Sequence, residues 1–189
     1  AECNACMKRI VAAPTAGACG VLPAVLLPYA RQFQAEADRL VEALYVASGF
    51  GMVIAARASI SGAEGGCQAE IGSAAAMAAP ALVHLQGGTA EQMANACAMA
   101  VKNLLGLVCD PVGGLVEYPC QNRNAAGVAN ALIAAELSLS GVKQLIPFDE
   151  MLETMYAVGR RIPIELRETA LGGCATTPSA CARCSGGCG

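Results

Sequence analysis

Three cysteines stand where the chain changes from loop to helix. Cys67 follows Gly65–Gly66 and opens CQAEIGSAAAMA, Cys109 precedes Asp110–Pro111, and Cys120 follows Pro119. Glycine and proline mark such junctions as irregular. Backbone N–H groups are free there, and a helix N-terminus favours negative charge, so a thiolate at this kind of position is suited to ligate metal. The spacing, 42 residues and then 11, matches no compact ferredoxin or zinc-finger run. Setting alone leaves two readings: three ligands of one cluster, or three unrelated loop thiols. Glu70 and Gln68 lie within one turn of Cys67, suited either to hydrogen bonding around a ligand or to helix capping.

The chain has 11 cysteines among 189 residues. The count is odd and the chain is long enough to bury a substantial core, which argues against a disulfide scaffold. Lys8 and Arg9 precede an apolar run that Pro14 and Gly17 interrupt early, unlike a secretion signal. A reducing compartment is expected, with cytoplasmic localisation. Cys97 falls inside a helical pattern and reads as a plain core residue. The first residues, Ala1-Glu2-Cys3, suggest one part of a larger protein.

The elements that must position these cysteines are helical. The chain is 55% hydrophobic but 4% aromatic, without Trp and rich in Ala and Gly. Alanine is the best helix former, and small residues let helices approach closely. The expected fold is all-α: a compact helical domain with small-residue packing over 1–173, and a Cys/Gly-rich C-terminal tail over 174–189. Helices are expected over 21–27, 29–45, 43–58, 72–85, 90–105, 125–140, 150–160 and 164–171. Pro28 should kink or divide the first pair, Thr89-Ala-Glu-Gln92 has the capping-box pattern, and Asp149 suits an N-cap. Residues 109–124 read as loop. The net charge of −3, with acids and bases scattered, excludes a nucleic-acid surface. Mean hydropathy of +0.48 raises a membrane question. Three prolines in 10–30, and Pro80, His84 and Gly87–Gly88 in 71–90, favour a buried core over a lipid-exposed span.

Long motifs also carry a resemblance. VAAPTAGACGVLPAVL (11–26), GCQAEIGSAAAMAAPAL (66–82), CDPVGGLVEYPCQNRNAAGVANALIAAELSL (109–139) and RETALGGCATTP (167–178) resemble the iron–sulfur-dependent L-serine dehydratases, in their alpha chain or catalytic domain. The resemblance covers nearly the whole chain. It implies an all-helical domain that holds a [4Fe–4S] cluster through three cysteines, which correspond to Cys67, Cys109 and Cys120. It implies a lyase that converts L-serine to pyruvate and ammonia, with the fourth iron open as a Lewis acid on the hydroxyl. Thr15, Asn122, Arg123, Asn124 and Arg167 are polar residues inside the matching motifs and are the candidates for holding substrate, with Glu168 beside them. Arginine suits a carboxylate because its fork meets two oxygens. For Arg123 a surface charge at a helix start is the competing reading. His84, the one histidine, reads as a helix-end residue rather than a catalytic base.

The family pairs this domain with a beta domain or chain bearing a serine-rich, histidine-containing motif. No such motif is present here, which leaves the general base unassigned and open to lie outside this chain, within a homo- or hetero-oligomer. Three readings stand for the tail. Cys181, Cys184 and Cys188, with Cys174, could hold a separate metal. Cys188 could fold back as a displaceable fourth ligand, as a C-terminal cysteine does in some family members. Or the tail is disordered. Cys3-x-x-Cys6 offers a similar half-site. From another function class, an electron-transfer or redox-sensing iron–sulfur protein would need every iron held.

Overall fold

The computed structural model describes residues 1–185. Its regular elements are helical, as the composition requires. They are α1 (Glu2–Ala5), α2 (Val21–Gln32), α3 (Ala37–Arg57), α4 (Gly62–Gly65), a π-helical turn (Gln68–Gly72) and α5 (Ser73–Leu85). Then come α6 (Ala90–Asn103), a 3₁₀ turn (Val112–Gly114), α7 (Cys120–Leu139), α8 (Phe148–Arg161), two 3₁₀ turns (Ile164–Leu166 and Gly173–Thr176) and α9 (Pro178–Ser185).

α5 is the axis of the molecule. Every residue from Ser73 to Val83 is buried, because α2, α3, α6 and α7 all pack on it. Alanine and glycine make this possible. A Cβ at Gly51 of α3 would come 2.8 Å from Met77 Cε, and one at Gly127 of α7 would come 2.9 Å from Ile71 Cγ2. Between these close crossings sit Leu26, Ile54, Ile71, Leu82, Met99 and Leu152, all enclosed. Each such side chain contributes about 1.5–3 kcal/mol by leaving water. α6 starts as its capping box directs: Thr89 Oγ1 accepts the Gln92 N–H at 3.2 Å, and Gln92 Oε1 accepts the Thr89 N–H at 2.9 Å.

Several boundaries differ from the sequence expectation. Pro28 does not divide α2, because it lies near the helix end with its ring exposed. The break falls at 33–36, where Gln34 takes φ 51°, and α3 then runs unbroken through Gly49 and Gly51. α7 begins at Cys120 rather than 125, with the Asn124 amide donating to the Cys120 carbonyl at 2.8 Å. Asp149 sits in the first turn of α8, paired with Arg57, while Pro147 is the N-cap. Of the helix expected over 164–171 only 164–166 is helical, because Glu168 and Ala170 take positive φ and Arg167 bridges to Cys109. In the tail, residues up to 185 form a 3₁₀ turn and α9, which packs on the 112–114 turn.

Among the described residues one helix, α3, is long and apolar enough to cross a membrane, with mean hydropathy 1.4 over its apolar window. Its inner side (Ala43, Ala47, Gly51, Ile54) is buried, and Val41, Leu44, Tyr45 and Met52 are exposed. The two runs that raised the membrane question are otherwise placed: 10–30 is irregular up to Gly20 and then enters α2, and 71–83 is core.

Candidate metal centre

Gly66 sets the site up. Its φ of +75° reverses the chain, and a Cβ there would strike the Leu107 carbonyl at 2.8 Å. The Gln68 N–H then donates to that carbonyl at 2.9 Å. The buried Gln68 amide completes the tie: Oε1 accepts the Gly106 N–H at 2.8 Å, and Nε2 donates to the Met155 carbonyl at 2.7 Å. Gln68 therefore locks the 104–109 loop and α8 to the π turn, a framework role rather than one beside sulfur.

Cys109 is fixed from its other side by a short parallel pairing. Its N–H donates to the Leu166 carbonyl and its carbonyl accepts from Glu168, at 2.8 and 2.7 Å. Asn124 draws in the remaining wall. Its Oδ1 accepts the Gly20 N–H at 3.0 Å, and its Nδ2 donates to the Gly17 carbonyl at 2.7 Å. The 14–20 loop is thereby held against the start of α7, where Cys120 sits.

These ties bring Cys67 Sγ, Cys109 Sγ and a Glu70 carboxylate oxygen within 4.8 Å of one another. Cys109 Sγ lies 3.9 Å from Glu70 Oε2. All three cysteines are buried, Cys67 at 1%, Cys109 at 3% and Cys120 at 8% exposure. A hydrogen bond from Cys109 holds the Cys67 thiol below its ordinary range in spite of burial, and the same contact, with burial, pushes Cys109 up. Burial and the neighbouring Cys67 push Cys120 to about 11. Burial also raises the Glu70 carboxyl, which Thr15 partly opposes and Glu168 reinforces. A Cβ on Gly62 would meet Glu70 Oε2 at 2.9 Å, Cys109 Sγ at 3.0 Å and Glu168 Oε2 at 3.3 Å, so glycine keeps this space clear.

The candidate substrate residues divide. Arg123 faces Cys67, donates to the Val108 carbonyl at 2.8 Å and pairs with Asp110 Oδ1 at 2.7 Å, so it holds the Cys109 loop. Asn124 is the loop tie already described. Asn122 is exposed. Thr15 and Arg167 differ from these. Arg167 Nε is buried with no hydrogen-bond partner, although Arg167 Nη1 reaches the Glu64 carbonyl at 3.3 Å, and the buried Thr15 hydroxyl lies against the Glu70 carboxylate. Cys188 lies outside the described residues. His84 is at the far end of α5, 3.2 Å from Glu42 Oε2.

Two residues that the sequence reading passed over matter here, Gly62 and Asp110. Asp110 is 2% exposed, and its Oδ2 accepts the Cys174 N–H at 2.6 Å. Gly173 takes φ +62° and leaves no room for a Cβ beside that carboxylate. The signal was Asp110's place next to Cys109; its long-range partners carry no local mark.

A helical framework that encloses three thiols, with an arginine set against their charge, defines a thiol-rich site compatible with a metal cluster. Residues 1–175 match the family described as serine dehydratase alpha chain, and the chain belongs to that family. It is 52% identical over 178 residues to "Probable L-serine dehydratase, alpha chain" of Bacillus subtilis, covering 94% of this chain and 59% of that one. It is 51% identical over 174 residues to "L-serine dehydratase, alpha chain" of Peptoniphilus asaccharolyticus, covering 92% and 60%. It is 43% identical over 182 residues to "L-serine dehydratase 2" of Escherichia coli, covering 95% and 40%. The chain thus spans about three-fifths of those alpha chains and two-fifths of the longer relative.

Proposed function

We propose that this chain is the cysteine-bearing part of an L-serine dehydratase, acting in a reducing cytoplasm with a beta chain or domain to convert L-serine to pyruvate and ammonia. The supporting observation is the convergence of Cys67 and Cys109 in a buried pocket beside Cys120. The donor set fits a [4Fe–4S] cluster: three enclosed thiols, the Arg123 charge to offset thiolate, and a glycine where a side chain would intrude. Cys67, Cys109 and Cys120 would hold it, and when bound it supplies an open iron able to act as a Lewis acid on the substrate hydroxyl.

The chain's own residues bind and orient. Arg167 is assigned to the amino acid, because its buried Nε–H lacks a partner, which costs about 1–3 kcal/mol until a ligand meets it, and Thr15 stands at Glu70 in the same pocket. The Arg167 guanidinium is the carboxylate anchor, and the Thr15 hydroxyl is a second contact. Arg123 and Asn124 keep the cysteine loops in place. Burial of the thiols keeps water from the reacting centre. The proton on the substrate's Cα passes to a base in the companion.

The test is anaerobic reconstitution with iron and sulfide, with the companion present, and assay of pyruvate from L-serine. Pyruvate formation is expected. Serine should also perturb the cluster spectrum, as it would not for an electron carrier with every iron held. Arg167→Lys should raise KM about tenfold or more with a smaller change in kcat, since one point charge replaces a two-toothed contact. A fully loaded complex that gives no pyruvate, with a spectrum indifferent to serine, would refute the reading.

A further inference from the structure

Cys120 is not the nearest third donor to Cys67 and Cys109; Glu70 is. Its carboxylate oxygen shares the 4.8 Å envelope with the two sulfurs. Two sulfurs held at about 2.3 Å by a tetrahedral ion are themselves about 3.8 Å apart, and sulfur–oxygen pairs are slightly closer. The 3.9 Å between Cys109 Sγ and Glu70 Oε2 is therefore near what a single ion demands. The donors sit on two segments fixed independently of any metal, by Gly66, Gln68 and the Cys109–Arg167 pairing. Little rearrangement is needed to close them on an ion.

We infer that Cys67, Cys109 and Glu70 form a site for one divalent transition ion of the zinc, cobalt or ferrous class. Two thiolates and a carboxylate suit borderline-soft, tetrahedral ions and disfavour calcium and magnesium. Three protein donors leave a fourth position for water or an anion. Binding expels the thiol protons to solvent and exchanges no electrons. The ion would also offset the charge of two thiolates and a carboxylate enclosed together. The site stands on this geometry alone. Its consequence for loading rests on the cluster reading: a lone ion would occupy space the cluster needs, so zinc would compete with iron–sulfur assembly.

The test is cobalt(II) titration of the full-length chain, reduced, anaerobic and free of sulfide, with Cys3, Cys6, Cys181, Cys184 and Cys188 changed to Ser to silence the terminal thiols. One equivalent should bind, with sulfur-to-cobalt charge-transfer bands and the strong visible bands of a tetrahedral ion. Glu70→Gln should weaken binding about tenfold or more, Glu70→Asp less, and Cys120→Ala less than about threefold. Helical circular dichroism reports that each variant is folded. Undiminished affinity in folded Glu70→Gln, loss of binding in Cys120→Ala, or no cobalt–sulfur band in the parent would each overturn the assignment. None of these results depends on serine, sulfide or a companion chain, so failure here is separable from failure of the dehydratase reading.

Discussion

Cys97 and Cys67 are equally hidden from water, at 0% and 1% exposure, yet their surroundings share almost nothing. Cys97 lies in α6 against the alanine core, and burial alone drives its thiol far above the ordinary range. Cys67 is held low by a second thiol, with an arginine and a glutamate alongside. Burial by itself makes a thiol inert, whereas burial among groups that answer its charge favours the thiolate. The same contrast separates the two halves of the molecule. The α5–α6 core is closed by small apolar residues whose only task is to fit. The cysteine pocket is closed by hydrogen bonds between loops far apart in the chain.

The contrast can be broken most forcefully at the sulfurs. Cys67→Ala, Cys109→Ala and Cys120→Ala should each abolish iron retention after anaerobic reconstitution, while Cys97→Ala keeps it; iron analysis of the folded variants decides. Next comes the core itself. Leu152 is fully enclosed, so Leu152→Ala should cost about 2–5 kcal/mol in denaturant unfolding while the surviving folded fraction keeps its iron. Gly159→Ala probes the seam between the halves, because a Cβ there would press on Gly65 Cα at 2.9 Å and Gln68 Nε2 at 3.0 Å. It should cost about 1–3 kcal/mol and also lower iron retention, since both neighbours frame Cys67. Thr89→Ala removes a cap remote from the pocket and should cost about 1 kcal/mol with no change in iron. Smallest, and opposite in sign, Gly49→Ala meets nothing within 4 Å and should stabilise α3 by about 0.5–1 kcal/mol, read as a raised unfolding midpoint.

The two halves were also unequally legible in the sequence. The small-residue composition announces an all-α core, and Thr89–Gln92 starts α6 where the pattern says, because capping is a local matter of four residues. Pro28 misleads for the same reason: local rules count it as a breaker, but an exposed ring near a helix end is tolerated. In the pocket, the types and junction settings of Cys67, Cys109 and Cys120 mark them out. What each polar neighbour does was not readable. Asn124 and Arg123 stand beside Cys120 in the chain, and each bonds a loop 15 or 107 residues away. Gln68 and Glu70 differ by two positions, yet one turns to α8 and the other to the sulfurs. Such assignments depend on which segments arrive, and no local pattern encodes that.

Helix α5, enclosed on every side, runs directly out of the π turn that carries Glu70. That wall of the cavity is anchored in the least yielding part of the molecule. The opposing walls, 14–17, 109–118 and 167–173, are short irregular stretches laid over it. Cys67 and Glu70 thus stand on the wall continuous with α5, and the stretches facing them are joined to the rest of the molecule by hydrogen bonds rather than by apolar packing.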